Sequence, residues 1–439
     1  MQIFKVVFKT NVIIFSCLLS SYVYAAGSQL LEQDASDLGR AYAGGAITGD
    51  NAVIEFDNPA AMVQLKKSAI SVVGVAISPH TQLNGTGTNA AGAGITGKPE
   101  QPMDVLKGVA FHYVQPIINS KLLFGFGITG PFAADKEYDS EGIARYLSTK
   151  NSMSTLNFNP SLAYAITDKF SVGAGVSAQY LQANMDQKLD TSIVTGRSGS
   201  IYDANIQNIV SDWGYGYNLG LAYNFTDATK MGLSYRSAVR HRPSGDLKVD
   251  YPSTLTQGEI EYLRSTLHFD NGKVRMNYDL PATYLWSLSQ KINSNWDAMA
   301  TVAYTNWSHY SQMTLHYSTG LADTAYNARY HDSWRFALGT DYKINEKWLV
   351  RFGTAYDSSP TDDNNRQVLF PDSNRFWLAC GMGYTFTRDA SLDLGYAHVF
   401  IQSGKVNDTS VSFAKEKVNG NYNDGYANAL GLQFNWKFS

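Results

Sequence analysis

The last residues of the chain alternate almost without error. Leu430, Leu432, Phe434, Trp436 and Phe438 fall on one side, and Gly431, Gln433, Asn435 and Lys437 on the other. Successive side chains of a strand point to opposite faces, so this is a strand with one large apolar face and one small or polar face. The same pattern recurs at Leu156–Ile166, Phe170–Ala178, Trp213–Phe225, Trp348–Tyr356, Phe376–Phe386 and Leu392–Phe400. Turn formers sit between neighbouring strands at Asn119-Ser120, Thr167-Asp168, Thr226-Asp227, Asn293-Ser294, Asn345-Glu346 and Arg388-Asp389. Between those hairpins lie long polar segments, near 79–105, 132–152, 183–211, 243–273, 317–331, 358–373 and 402–425.

Short and long connections therefore alternate, as in barrels with tight periplasmic turns and long external loops. The count is about fourteen strands, an even number, with both ends of the barrel on the periplasmic side. The expectation is an all-β protein: a transmembrane antiparallel β-barrel over residues 67–439. Residues 26–66 break the rhythm. They are rich in Gly and Ala, carry Asp34, Asp37, Arg40, Asp50, Glu55 and Asp57, and are expected either to fold inside the lumen as a plug or to hang free as a periplasmic tail.

The first 25 residues read as a signal peptide: Lys5 and Lys9, a short apolar run from Val12 to Leu19, then Val23-Tyr24-Ala25 before a cut. Cys17 fits a lipid-anchor site less well than this downstream cut fits a signal. The implied location is the bacterial outer membrane, in contact with its lipid and lipopolysaccharide. Charged residues are only 17% of the chain and aromatics reach 13%; mean hydropathy is −0.23. Aromatic girdles suit the two interfaces of such a barrel. A net charge of −3 gives no basic footprint for nucleic acid.

Candidate chemistry is sparse. The eight His residues show no metal-ligand spacing, so no metal and no cofactor are expected. Asp362-Asp363 with Asp357 reads as a solvated acidic loop rather than a calcium site. His112 and His398 find no Ser and acidic partners for a catalytic trio, so no catalytic residue is assigned. Cys380 lies on the apolar face of its strand and reads as a small hydrophobe.

Leu38-Gly39-Arg40-Ala41-Tyr42-Ala43-Gly44-Gly45, then Asn58-Pro59-Ala60, resembles the N-terminal hatch of the FadL family, outer-membrane transporters of long-chain fatty acids and related hydrophobic compounds. The start Ala26-Gly27-Ser28-Gln29-Leu30 is similar to that family's start. Ser234-Tyr235-Arg236-Ser237, Tyr304-Thr305-Asn306-Trp307-Ser308, Asp357-Ser358-Ser359-Pro360 and Pro371-Asp372-Ser373-Asn374-Arg375-Phe376-Trp377-Leu378 extend the resemblance over the mature chain. It implies a hatch that includes Arg40, Asn58, Pro59 and Ala60, and a wall kink with lateral exit, for which Gly130-Pro131 is the candidate and reads equally as a strand end entering a loop. It also implies capture in an external groove between two long loops; loops 183–211 and 243–273 are the candidates, and their Ile206, Ile209, Ile260 and Leu263 read either as a small core holding each loop together or as the apolar residues of that groove.

Two departures stand out. Gln187 and Thr314 occupy the places aligned with the family's interior basic residues, leaving the adjacent Lys188 and His316 as headgroup candidates. Ser28 replaces an aromatic residue. The expected function is passive uptake of long-chain fatty acids or similar hydrophobic molecules by a monomer. The alternatives are uptake of uncharged aromatic or aliphatic hydrocarbons, or a surface-binding adhesin or receptor barrel; an enzyme ranks last.

Overall fold

The computed structural model describes residues 28–118, 121–410 and 415–438. The signal segment, Cys17, the start at Ala26-Gly27 and the Asn119-Ser120 turn lie outside the described residues. Fourteen antiparallel strands close into one barrel: β1 (Ser68–Thr88), β2 (Leu106–Ile118), β3 (Leu122–Thr129), β4 (Lys150–Ala165), β5 (Phe170–Leu189), β6 (Ala204–Asn224) and β7 (Thr229–Arg236), then β8 (Thr283–Lys291), β9 (Trp296–Thr305), β10 (Ser333–Lys343), β11 (Trp348–Asp357), β12 (Arg375–Thr387), β13 (Ala390–Ile401) and β14 (Lys417–Phe438). Closure is made by β1 and β14, paired from Ser68↔Phe438 to Thr88↔Lys417 with an irregularity between His80 and Gln82. Closure leaves no free edge at this seam.

The period-two reading holds in three dimensions. Leu430, Leu432, Phe434 and Trp436 face outward, while Gln433 and Asn435 are buried in the lumen. Cys380 faces outward too. Several strands are longer than the alternation implied: β5 and β6 stay paired to Leu189↔Ala204, inside a segment read as loop. Past the membrane the outer face meets water and carries Gln207 and Asn205 rather than Leu or Phe, so the contrast between faces fades while the ladder continues. Smaller hairpins, such as Ser244–Asp250 with Gly272–Met276, extend the wall outward.

Residues 28–65 fold inside the barrel. Asp34 caps a single helical turn, Ala35–Leu38, by accepting from the Ser36 and Asp37 amides. A second turn, Ile54–Asp57, leads into a 3-10 helix over Pro59–Gln64. Asn58 caps that helix through its side-chain oxygen on the Ala60 amide, and Pro59 takes the first position, where no N–H is needed. The hatch packs on opposite walls at once: Ala35–Leu38 against β12, β13 and β14, and Pro59–Gln64 against β3 to β6. Glycine makes the approach possible. A Cβ at Gly353 would run into the Arg40 backbone, and one at Gly220 into the Asn58 side chain.

Candidate functional site: a corked lumen beside a broken wall

The hatch is pinned by buried polar contacts. Arg40 pairs with Asp37 beside it and with Asp341 on β10 at 2.6 Å. Arg351 lies 3.8 Å from Asp341 and 2.6 Å from Asp393, and Asn435 donates to Asp393 at 2.7 Å. On the far side, Asn58 Nδ2 donates to the carbonyls of Ala46 (2.7 Å) and Leu221 (3.0 Å), and the Ser171 hydroxyl donates to the Ala60 carbonyl at 2.9 Å. Glu55 meets His112 of β2 at 2.9 Å, both fully buried. Arg40, Asn58, Pro59 and Ala60 thus all sit at the seam between residues 28–65 and the wall.

The wall is interrupted at Gly130-Pro131. Thr129 pairs with Asn157, and the next paired residue, Ala133, lies opposite Ser154. Three residues, 130–132, therefore face two, 155–156: a β-bulge. The parity of the strand flips there. Gly127 and Thr129 face inward before it, Phe132, Ala134 and Lys136 after it. The strand resumes as Ala133–Glu137, so this is a kink within a strand rather than a strand end. Its neighbour departs at the same place. β2 pairs with β3 only from Phe111↔Ile128 to Ile118↔Leu122, while Leu106–Ala110 pairs with β1 alone among the described residues. Pairing across the gap resumes at Met103↔Lys136.

The start of the hatch fills the vacated edge of the kinked strand. The Leu30 amide donates to the Pro131 carbonyl at 2.8 Å, and the Ala133 amide to the Ser28 carbonyl at 2.9 Å, with Gln29 opposite Phe132. The Gln33 side chain donates to the Gly130 carbonyl (3.1 Å) and accepts from the Gly130 amide (3.2 Å).

Two chambers flank this segment. The larger, about 1030 Å³ of empty space partly open to solvent, is bounded by Leu30, Tyr42, Phe56, Pro131, Arg236 and Arg335. The second, about 700 Å³, is bounded by Glu32, Ile77, Arg375, Trp377, Val399 and Ile401. Outward of both lies a broad apolar cluster that includes Phe132, Leu181, Trp307, Tyr310, Leu369 and Phe370.

Several assignments from sequence need correction. Lys188 lies on the opposite face of β5 from Met185 and Leu189, which are buried in the lumen, while Gln187 lines a small interior pocket. His316 is exposed and bonded to Asp323 at 2.7 Å, on the outward face it shares with Thr314. Lys188 is one residue past the inward Gln187, a step that reverses the facing, and His316 is two residues past the outward Thr314 and keeps its facing, so neither cation reaches the interior. Ile209 likewise alternates away from the buried Ile206 and Val210. Ile206 and Leu263 are buried in the apolar cluster and Ile260 packs on it, so these three form a shared core rather than an open groove. Arg197 ties the two loops together with two 2.7 Å bonds to Glu259. Asp357 is no acidic loop residue; it is buried in the lumen, 3.7 Å from Arg375. Arg335, Arg375 and Arg236 are among the interior cations that sequence reasoning passed over. Their signal was an arginine on the inward parity of a strand.

A model of the family described as outer membrane protein transport protein (OMPP1/FadL/TodX) matches residues 16–438. The long-chain fatty acid transport protein of Escherichia coli K12 is 28% identical, covering 98% of both chains; outer membrane protein P1 of Haemophilus influenzae is 29% identical over 94% of this chain and 95% of its own. Among solved structures, a FadL homologue of Pseudomonas aeruginosa superposes with a TM-score of 0.87 at 23% identity, over 94% of this chain and 100% of the other. The toluene transporter TodX of P. putida gives 0.69 at 17%, over 93% and 99%. The chain belongs to the OMPP1/FadL/TodX family of outer-membrane transport proteins.

Proposed function

We propose that this protein carries long-chain fatty acids or similar hydrophobic molecules passively across the outer membrane. External loops gather the molecule, the interior chambers hold it, and it leaves sideways between β2 and β3. The observation that carries the reading is the asymmetry of the two ways out. Straight down, the lumen is filled by a hatch held with buried ion pairs. Sideways, the wall is already broken and is covered only by backbone and amide hydrogen bonds from residues 28–33. Apolar surface kept from water is favoured by about 25 cal/mol per Å², so an oily solute gains by leaving the chamber directly into lipid. The E. coli relative's name points to the same cargo. A barrel closed between β1 and β14, with the edge vacated at the kink covered by residues 28–33, supports a monomer, set among lipid and lipopolysaccharide.

The test is uptake of labelled oleate by cells lacking the gene, with and without re-expression, alongside conductance in planar bilayers. Uptake that returns with the gene, without steady ion current, is expected. Uptake indifferent to the gene, or an open aqueous current, overturns the reading. Uncharged hydrocarbons are the second reading, favoured by the neutral inward Gln187 and by the outward facing of Lys188 and His316. Competition of oleate uptake by toluene or hexadecane distinguishes the two. An adhesin would lose cell binding on loop replacement while uptake stayed normal.

A further inference from the structure

Three inward residues stand directly opposite one another on adjacent strands: Arg335 of β10 faces Asp357 of β11, which faces Arg375 of β12. All three are buried, and Arg375 is also paired with Asp372. The hatch covers this rung. Arg335 Nη2 donates to the Ala41 carbonyl at 2.5 Å, and its guanidinium carbon lies 5.5 Å from the ring centres of both Tyr42 and Trp377. Glu32 of the hatch is buried within the field of Arg375 and Arg335. The rung is also the partition between the chambers, with Tyr42, Arg335 and Asp357 on the larger and Glu32, Arg375 and Trp377 on the smaller.

Each member of this group keeps a buried polar atom with no hydrogen-bond partner among the described residues: Arg335 Nε, Arg375 Nη1, Trp377 Nε1, the Tyr42 hydroxyl, Glu32 Oε2 and Asp357 Oδ2. Folded proteins leave few such atoms, because each has given up a hydrogen bond to water; Arg375 Nη1 and Asp357 Oδ2 keep only their 3.7 Å ion pair with each other. Here six occur at one boundary between two cavities, and four of them can donate. Glu32 shows the strain most clearly: burial pushes its carboxyl up to about 7, against the pull of Arg375 and Arg335. Two cations, Arg335 and Arg375, are matched by two acids, Asp357 and Asp372. Glu32 is the third acid, and the one supplied by the hatch.

We infer that the Arg335–Asp357–Arg375 rung is the headgroup site for a carboxylate-bearing lipid, and that Glu32 is a built-in stand-in for that headgroup. The inference rests on the proposed function, since it takes the cargo to be a long-chain molecule inside the lumen. Arg335, Arg375 and Trp377 donate to the incoming carboxylate; its chain lies along the apolar walls of the chambers. A second acid cannot share the site with ionised Glu32, so the headgroup displaces it. Gln33 follows Glu32 directly and bonds both polar backbone groups of Gly130. Occupation of the rung therefore pulls on the residues that cover the wall gap.

The test measures binding of palmitate and of hexadecane, the same chain length without the acid, to the full purified protein in detergent. Folding is checked by heat-modifiable mobility on gels. Arg375→Gln should weaken palmitate at least about tenfold, the scale of a charged hydrogen bond, and leave hexadecane unchanged. Glu32→Gln should do the reverse to palmitate, tightening it several-fold with hexadecane again unchanged. If Arg375→Gln does not fold, Trp377→Phe keeps an aromatic side chain while removing the indole donor, and a loss of about fivefold for palmitate beyond any change for hexadecane is expected. Parallel shifts of both ligands, or unchanged palmitate binding, overturn the site while leaving the transport reading intact. A wild-type protein that binds neither ligand overturns both.

Discussion

Arg40 and Asp341 are 301 residues apart in the chain and 2.6 Å apart in the lumen, with side chains 1% and 9% exposed. One belongs to the hatch and the other to the wall, so the contact fixes the hatch without entering any strand ladder. Removing one partner of a buried pair leaves an uncompensated charge and costs about 3–5 kcal/mol. Arg40→Gln is therefore expected to loosen the hatch while the barrel still assembles. Steady ion conductance should appear in bilayers. Arg40→Leu combined with Asp341→Leu removes both charges of this pair and should restore the seal in part, because Asp37 is left without Arg40 while Arg351 keeps Asp393. Equal leakage from the single and double variants would show that the pair does not hold the hatch.

Asn58 makes three hydrogen bonds with one amide: to the Ala60 amide, the Ala46 carbonyl and the Leu221 carbonyl. At about 1 kcal/mol each, Asn58→Leu should weaken seating of the hatch by about 3 kcal/mol. Pro59→Ala relaxes the first helical position, worth under about 1 kcal/mol, and trims a buried ring beside Gly220. Limited proteolysis within residues 28–65 should accelerate strongly for the first and slightly for the second. Oleate uptake should fall in the same order, with gel mobility of the folded barrel unchanged.

Much of the barrel was legible because lipid imposes a one-sided rule on every spanning strand. Trp213, Tyr215 and Tyr217 must be apolar outside, and Gly214, Gly216 and Asn218 are free to be small or polar inside. The helical cap at Asn58 was legible for a local reason, since Asn-Pro fixes a cap and a first position together. The headgroup and groove assignments failed where facing was decided by parity over a long hairpin. Lys188 and His316 lie beyond the lipid belt, where neither face is required to be apolar. The Arg335–Asp357–Arg375 rung was hidden for another reason. Its members are spread over 40 residues of sequence, and only the register of three strands brings them into line.

The loops over the barrel are joined by Arg197 and Glu259, which are 36% and 21% exposed. Such a pair contributes little to stability, because water and salt screen it. Arg197→Ala should leave thermal unfolding of the barrel unchanged within error. Its effect should be local: faster hydrogen exchange in the helix Gln257–Ser265, whose capping box at Thr256 also uses Glu259. A large drop in barrel stability would mean that the loops carry more of the fold than the ion pair indicates.

Gln29 and Phe132 face each other across a short antiparallel bridge, flanked by the bonds Leu30 N–H to Pro131 and Ala133 N–H to Ser28. They form a non-hydrogen-bonded pair, the type with closest Cα atoms, about 4.5 Å. That separation falls in the range a disulfide spans. Cysteines at both positions, in a Cys380→Ala background, should therefore oxidise and fix the hatch start to the kinked strand. If cargo leaves through the gap between β2 and β3, oxidation should abolish oleate uptake and dithiothreitol should restore it. Binding of oleate at the cell surface should be the same in both states, because the loops lie outside the lock. Uptake that continues at full rate with the disulfide formed would mean that cargo takes another way out of the lumen, and that residues 28–33 only line the route.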